Sequence, residues 1–152
     1  MNLEQLRDLV VVPVLRELQM NSKAAMRLVI GTGLVESKYT HIKQVNGPAL
    51  GFWQMEPKTH DDIWSSYLLY RLDIAKRLNN FHLDYKDSDQ LIYNMKYACA
   101  MCRIHYWRSP MPLPDANDIE GLGRMWKLVY NTEQGKGTVE KFVNEAQEVL
   151  IL

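Results

Sequence analysis

The residues best placed to do chemistry begin with Glu36-Ser37, which closes an apolar run ending in Leu34 and Val35. A carboxyl at a helix end among apolar neighbours is a candidate general acid, because burial penalises its charged form and keeps the proton on near neutral pH. The competing reading is a solvent-facing glutamate, the commoner fate of that residue type. Fifteen positions after Glu36 comes Gly51-Phe52-Trp53-Gln54-Met55-Glu56-Pro57-Lys58-Thr59, which supplies an amide, two aromatic rings and a second carboxylate. Farther on, Val129-Tyr130-Asn131 precedes a glycine-containing turn. Glu56, Asp61 and Asp62 are candidates for a second catalytic carboxylate. Glu56 is the strongest of them, since Asp62 reads as helix capping and Asp61 as a solvated first-turn acid.

Other chemistries find less support. His60-Asp61-Asp62 lacks the spacing that brings helical ligands onto one face, and His41, His82 and His105 are scattered, so no metal site and no cofactor are expected. Gly135-Lys136-Gly137-Thr138 lacks the strand and spacing of a phosphate loop and reads as a turn followed by an N-cap. Cys99 and Cys102 fall inside a helical pattern with no second pair, which makes them small helix residues. Arg103, His105, Tyr106, Trp107 and Arg108 form a basic aromatic cluster, read as a buried helical face with solvated arginines.

The elements that must position these groups follow from periodicity and caps. Leu3, Leu6, Val10, Val14 and Leu18 recur at helical spacing over residues 3–19, with a kink expected at Pro13. Asn21-Ser22 offers an N-cap for a helix ending near Glu36-Ser37, in which Gly31 and Gly33 permit close packing. Residues 38–53 lose any steady period and hold the turn signal Asn46-Gly47-Pro48, which predicts a loop with at most a short extended pair. A helix is expected from Pro57 through Leu69, with Thr59 and Asp62 as its capping pattern, and another over 71–79. Asp87-Ser88-Asp89 caps the longest pattern, out to Trp107, which is the expected central helix. Beyond the proline-rich connector 109–114, helices are expected over 118–130 and 138–150.

With 152 residues, the chain fits a single domain, 1–152, with residues 1–21 forming a helix that packs on the rest. Eighteen basic residues balance eighteen acidic ones, which argues against nucleic acid or an anionic membrane as partner. No apolar stretch reaches the roughly 18–20 residues that span a bilayer, and the amino terminus lacks the marks of a signal peptide. The fold class is all-α, or α+β at most, and a monomer is the default.

Glu36-Ser37, the Gly51-Phe52-Trp53-Gln54 and Pro57-Lys58-Thr59 segments, and Tyr130-Asn131 stand in an order and spacing that resembles the lytic transglycosylases of the lysozyme-like superfamily. There a Glu-Ser closing a helix is followed by Gly-Leu-Met-Gln and Pro-x-Thr, and later by Ala-Tyr-Asn-Ala-Gly. The likeness spans roughly residues 22–145, and Tyr39 occupies the usual aromatic position. Two departures lie near the presumed cleft: Gly-Phe-Trp-Gln stands for Gly-Leu-Met-Gln, and Thr132-Glu133 for Ala-Gly. Segments around Ala49-Leu50-Gly51 and 54–64 also resemble uncharacterised bacteriophage proteins.

The resemblance implies a lysozyme-like fold with a saccharide cleft that acts on the MurNAc–GlcNAc bond of peptidoglycan. Glu36 would be both acid and base, Tyr130 the tyrosine whose hydroxyl contacts that acid, and Ser37 the serine that orients it. Gln54 and Asn131 would bind acetamido and hydroxyl groups or, alternatively, satisfy loop backbone. Trp53, Phe52 and Tyr39 would face sugar rings or, equally, pack in the core. A hydrolase on the same fold would need Glu56 or a neighbour to position water, the two carboxyls roughly 6.5–9.5 Å apart. A phage origin implies a virion or host-cytoplasmic protein delivered to the wall, with other virion proteins as partners. The rival is a non-catalytic virion or wall-binding protein on that fold, and a chitin- or chitosan-cleaving relative is a third reading.

Overall fold

The computed structural model describes residues 1–81, 87–132 and 134–152. His82 and Glu133, named above, lie outside them. The described residues are mainly helical and contain no strand; the loop after Ser37 carries two isolated antiparallel bridges, Lys43 to Leu50 and Leu50 to Met55.

The amino-terminal helix is continuous but not uniform: α1 (Leu3–Leu6) passes through a π-helical segment, Arg7–Val11, into α2 (Val12–Glu17). The disturbance expected at Pro13 therefore sits one turn earlier. A helical proline lacks an N–H and crowds the carbonyl four residues back, so a widened turn over 7–11 accommodates it. Val11, Val14, Leu15 and Leu18 are fully buried.

Ser22 caps α3 (Lys23–Glu36) by accepting from the Ala25 amide at 3.0 Å. Nearly every residue of α3 is buried, which makes it a core element rather than an amphipathic surface helix. A side chain at Gly31 would run into the Phe142 ring, so α9 (Val139–Glu145) can approach only because none is there. Buried Arg27 reaches across the fold: its two terminal guanidinium nitrogens donate to Ala116 O, Asn117 Oδ1 and Leu150 O at 2.8, 2.9 and 3.0 Å, while its Nε has no partner. The hydroxyls of Thr32 and Tyr106, 2.7 Å apart, join α3 to the central helix.

Between them lie α4 (Pro57–Ser66), a 3-10 turn Leu68–Tyr70, and α5 (Leu72–Leu78). Proline opens α4 as expected, but Thr59 lies inside its first turn and caps nothing. Asp62 instead accepts from Arg108 and Ser66, both at 2.8 Å. The long pattern before Trp107 is two helices, α6 (Gln90–Tyr93) and α7 (Met95–Trp107), divided at Asn94. Asn94 leaves helical geometry and caps α7 by accepting from the Tyr97 amide at 3.1 Å. α7 is the central helix: Tyr97, Ala100, Met101, Ile104 and Tyr106 are at most 1% exposed.

Cys99 and Cys102 are buried free thiols whose proton affinity burial raises. Arg103 departs from expectation. It is 3% exposed rather than solvated, donates through Nε to Met20 O at 3.1 Å and lies over the Trp107 ring.

Asp118 caps α8 (Ile119–Met125), which gives way to a second π-helical segment, Trp126–Asn131, where a plain helix to 130 was expected. Thr138 caps α9, and a 3-10 segment, Gln147–Ile151, replaces its expected last turn. Among the described residues no helix is long and apolar enough to cross a membrane.

Candidate active site

Glu36 is the last residue of α3, and the chain turns sharply after it through Lys38 and Tyr39, both at φ near +54°. Ser37 holds this corner together. Its buried hydroxyl donates to Phe52 O at 2.6 Å and accepts from the Tyr39 amide at 3.0 Å, so loop 51–55 is pinned beneath the end of α3. Gly51, at φ +76°, packs directly on the Leu91 carbonyl, an approach no side chain would allow.

The pinned loop turns its aromatics inward. Trp53 is 1% exposed and donates from its indole to Val29 O at 2.9 Å; Tyr39 is 6% exposed and donates to Ile30 O at 2.8 Å. Phe52 meets Tyr39 edge to face and is partly buried against the core. None of the three lines the cleft described next; Tyr39 and Trp53 belong to the core and Phe52 packs against it.

The opposite wall is the π-helical segment Trp126–Asn131. A π turn shifts the register of the side chains that follow it, and such turns recur at functional sites. Here the Trp126 indole donates to Glu36 Oε1 at 3.2 Å, and the Tyr130 hydroxyl donates to Trp53 O at 2.6 Å. Tyr130 thus bridges the segment to the pinned loop; its proton is committed to a backbone carbonyl and not to Glu36. Lys127 ties the segment's end to the turn beyond it, donating to Asn131 Oδ1 at 2.8 Å and Gly135 O at 2.7 Å.

Between these walls lies a cleft of about 640 Å³, reached by Glu36, Gln54, Glu56, His105, Tyr130 and Asn131. Burial raises the Glu36 carboxyl to about 7, against the opposing pull of the Trp126 hydrogen bond and the Lys141 ammonium. Its place at the carbonyl end of α3 acts in the same direction as burial, since the negative end of a helix dipole disfavours a carboxylate. Glu56 is exposed at the N-cap of α4, on the cleft but in contact with water. The Gln54 amide nitrogen donates to Gly51 O at 2.8 Å, so part of its capacity is spent on its own loop.

Glu36, Gln54, Glu56, Tyr130 and Asn131, far apart in sequence, therefore meet at one cleft, with Ser37 behind it. Trp126 and Lys141, absent from the sequence-based candidates, complete the surroundings of the carboxyl. The indole could have been anticipated only from its position four residues before Tyr130, which places both on one helical face. A cleft in which one carboxyl is raised to about 7 beside amide groups can donate a proton to an oxygen and take it back. Among the described residues no three His, Cys, Asp or Glu side chains are grouped to hold a metal ion. Comparison of the chain with protein-family models, with curated proteins and with solved structures returns no match.

Proposed function

We propose that this protein is a lysozyme-like glycosidase that cleaves the MurNAc–GlcNAc linkage of peptidoglycan, with Glu36 as its acid and base. The observation that carries the reading is the Glu36 carboxyl itself, raised to about 7 on the wall of an open cleft. Breaking a glycosidic bond near neutral pH requires a protonated acid beside the departing oxygen, and a binding surface has no such need. Tyr130 and Ser37 act as positioning residues: one fixes the π-helical wall to the loop, the other fixes the loop to the Glu36 helix. Gln54 and Asn131 present amides to the acetamido and hydroxyl groups of the substrate.

In the transglycosylase form of the reaction, Glu36 protonates the leaving oxygen and then, as carboxylate, accepts the C6 hydroxyl proton while that oxygen attacks the anomeric carbon to close an anhydro ring. In the hydrolytic form, water takes the place of the C6 hydroxyl and Glu56 holds it. Digestion of purified peptidoglycan with wild-type protein and Glu36→Gln, read by mass spectrometry of the released muropeptides, separates the two. Anhydro ends from wild type alone identify the transglycosylase, and reducing ends the hydrolase. No cleavage by folded wild-type protein overturns the enzymatic reading.

One observation favours the alternative of a non-catalytic virion or wall-binding protein: Trp53 and Tyr39, which the sequence left open between sugar-facing and core roles, are core residues. Under that reading wild type and Glu36→Gln bind cell walls equally and neither releases fragments.

A further inference from the structure

The turn at residues 134–137 lies flat against the cleft wall. A side chain at Gly135 would run into Asn131 and one at Gly137 into the Trp126 ring, whose indole donates to Glu36. Lys136, exposed between these two glycines, is therefore carried on a turn seated against the site, and Lys127 fastens that turn through Gly135 O at 2.7 Å. Lys141 follows in the first turn of α9, where Thr138 caps the helix by accepting from the Lys141 amide at 3.1 Å. Both lysines line the cleft, and Lys141 lies close enough to Glu36 for its charge to act on that carboxyl. Neither has an acidic partner: the ion pairs among the described residues all use arginine or His60. Of the acids on the cleft, Glu36 is largely uncharged below about 7, which leaves Glu56 against two ammonium groups. Two unpaired cations beside the acid of a substrate cleft point to a ligand that carries negative charge.

We infer that Lys141 and Lys136 form an anion-binding subsite that takes the carboxylates of the peptide stem borne by the muramic sugar, and so selects acidic glycan strands over neutral chitin or cationic chitosan. The inference rests on the saccharide reading of the cleft and names the substrate class within it. A neutral oligosaccharide gains nothing from the two ammonium groups, a deacetylated one is repelled, and a carboxylate-bearing stem is drawn in. Each lysine contributes as an exposed pair does, about threefold to fivefold in affinity, because water screens both partners. A carboxylate seated on Lys141 also offsets the pull that this ammonium exerts on Glu36, so the acidic substrate favours the protonated form that its own cleavage needs.

The test uses the full chain carrying Glu36→Gln, which blocks turnover, and calorimetric binding of three probes. These are soluble muropeptides with intact stems, the same muropeptides with their carboxyls converted to amides, and N-acetylglucosamine oligomers of matched glycan length. Intact muropeptides should bind about tenfold more tightly than the amidated ones at low salt, and the gap should close by about 0.5 M sodium chloride. Lys141→Gln and Lys136→Gln should each weaken binding of the intact stem about threefold to fivefold, and Lys141→Arg, which keeps the charge, should restore it. Both lysines are exposed, so these variants keep the fold. Equal affinity for intact and amidated muropeptides, or a loss in the glutamine variants that is as large for the neutral oligomers, overturns the inference and leaves the saccharide reading standing. A folded Glu36→Gln protein that binds none of the three probes overturns both.

Discussion

The Trp126 indole donates to the Glu36 carboxyl at 3.2 Å across ninety positions of sequence, joining the π-helical wall to the end of α3. This contact opposes the environment that surrounds it. Burial favours the neutral acid, whereas an N–H donor favours the carboxylate, and burial prevails while the donor limits its extent. The carboxyl is thereby brought close to neutrality, where it can both release and regain a proton within one reaction cycle.

That balance has a thermodynamic signature. Glu36 titrates at about 7 in the fold against 4.5 for an unperturbed glutamate, so the unfolded chain ionises first. The stability that the neutral carboxyl allows is fully present below pH 4.5 and is lost as pH rises toward 7, a change of about 3 kcal/mol at most. Glu36→Gln, neutral at every pH, should match wild type at pH 4 and be the more stable protein at pH 8. Urea unfolding of both across that range checks this. Equal stability at pH 8 would place the carboxyl in water. In the enzymatic reading, cleavage depends on the same acid form and falls as pH rises through about 7.

Trp126→Phe removes the indole N–H but keeps an aromatic ring beside Phe142. With its donor gone the carboxylate loses stabilisation, so Glu36 should titrate above its wild-type value of about 7. In the enzymatic reading the alkaline limb of activity moves up with it. Stability falls by about 1–2 kcal/mol, from the smaller ring and the lost hydrogen bond. A carbon-13 titration of the side-chain carboxyl is the direct measurement, and an unmoved or lowered midpoint would contradict the assignment.

How far the site could be read beforehand depended on range. The helices α3 and α7, the caps Ser22 and Thr138, and the proline opening α4 all follow from local pattern. The break at Asn94 does not, because Leu91, Tyr97 and Ala98 stay buried on either side of it and the hydrophobic pattern runs through. Phe52 and Trp53, beside a presumed catalytic loop, could equally have faced a ligand or the core. The deciding interactions, Ser37 to Phe52 and Trp53 to Val29, are tertiary and leave no periodic trace. The same holds for Trp126. Its partner is ninety residues away, and the π-helical turn that aims it has no compositional mark.

Ser37 is a structural hinge pin by this geometry, and Ser37→Ala should show it. The substitution strands two groups at once, the Tyr39 amide and the Phe52 carbonyl. A loss of about 1–3 kcal/mol is expected, with faster hydrogen exchange at the Tyr39 amide. An orienting role confined to the Glu36 carboxyl would leave that exchange rate unchanged and alter only catalysis.

Thr132 follows Asn131 on the rim of the cleft with φ +73° and ψ 160°. This region of backbone space is almost reserved for glycine, and for a β-branched residue the strain is about 1–3 kcal/mol. The π-helical segment ends at this point, so the strained residue is what turns the chain away after Tyr130 and Asn131 have reached the cleft. Glycine relieves the strain but restores about 0.5–1 kcal/mol of conformational entropy to the unfolded chain. Thr132→Gly should therefore raise stability by about 1 kcal/mol, where most glycine substitutions lower it. Chemical unfolding gives the sign. In the enzymatic reading the consequence for catalysis runs the other way: a looser turn would hold Asn131 less firmly, so KM for peptidoglycan fragments should rise while the pH limb set by Glu36 stays in place. A destabilised Thr132→Gly would show that the turn is held by contacts of the threonine side chain and that its backbone carries no such strain.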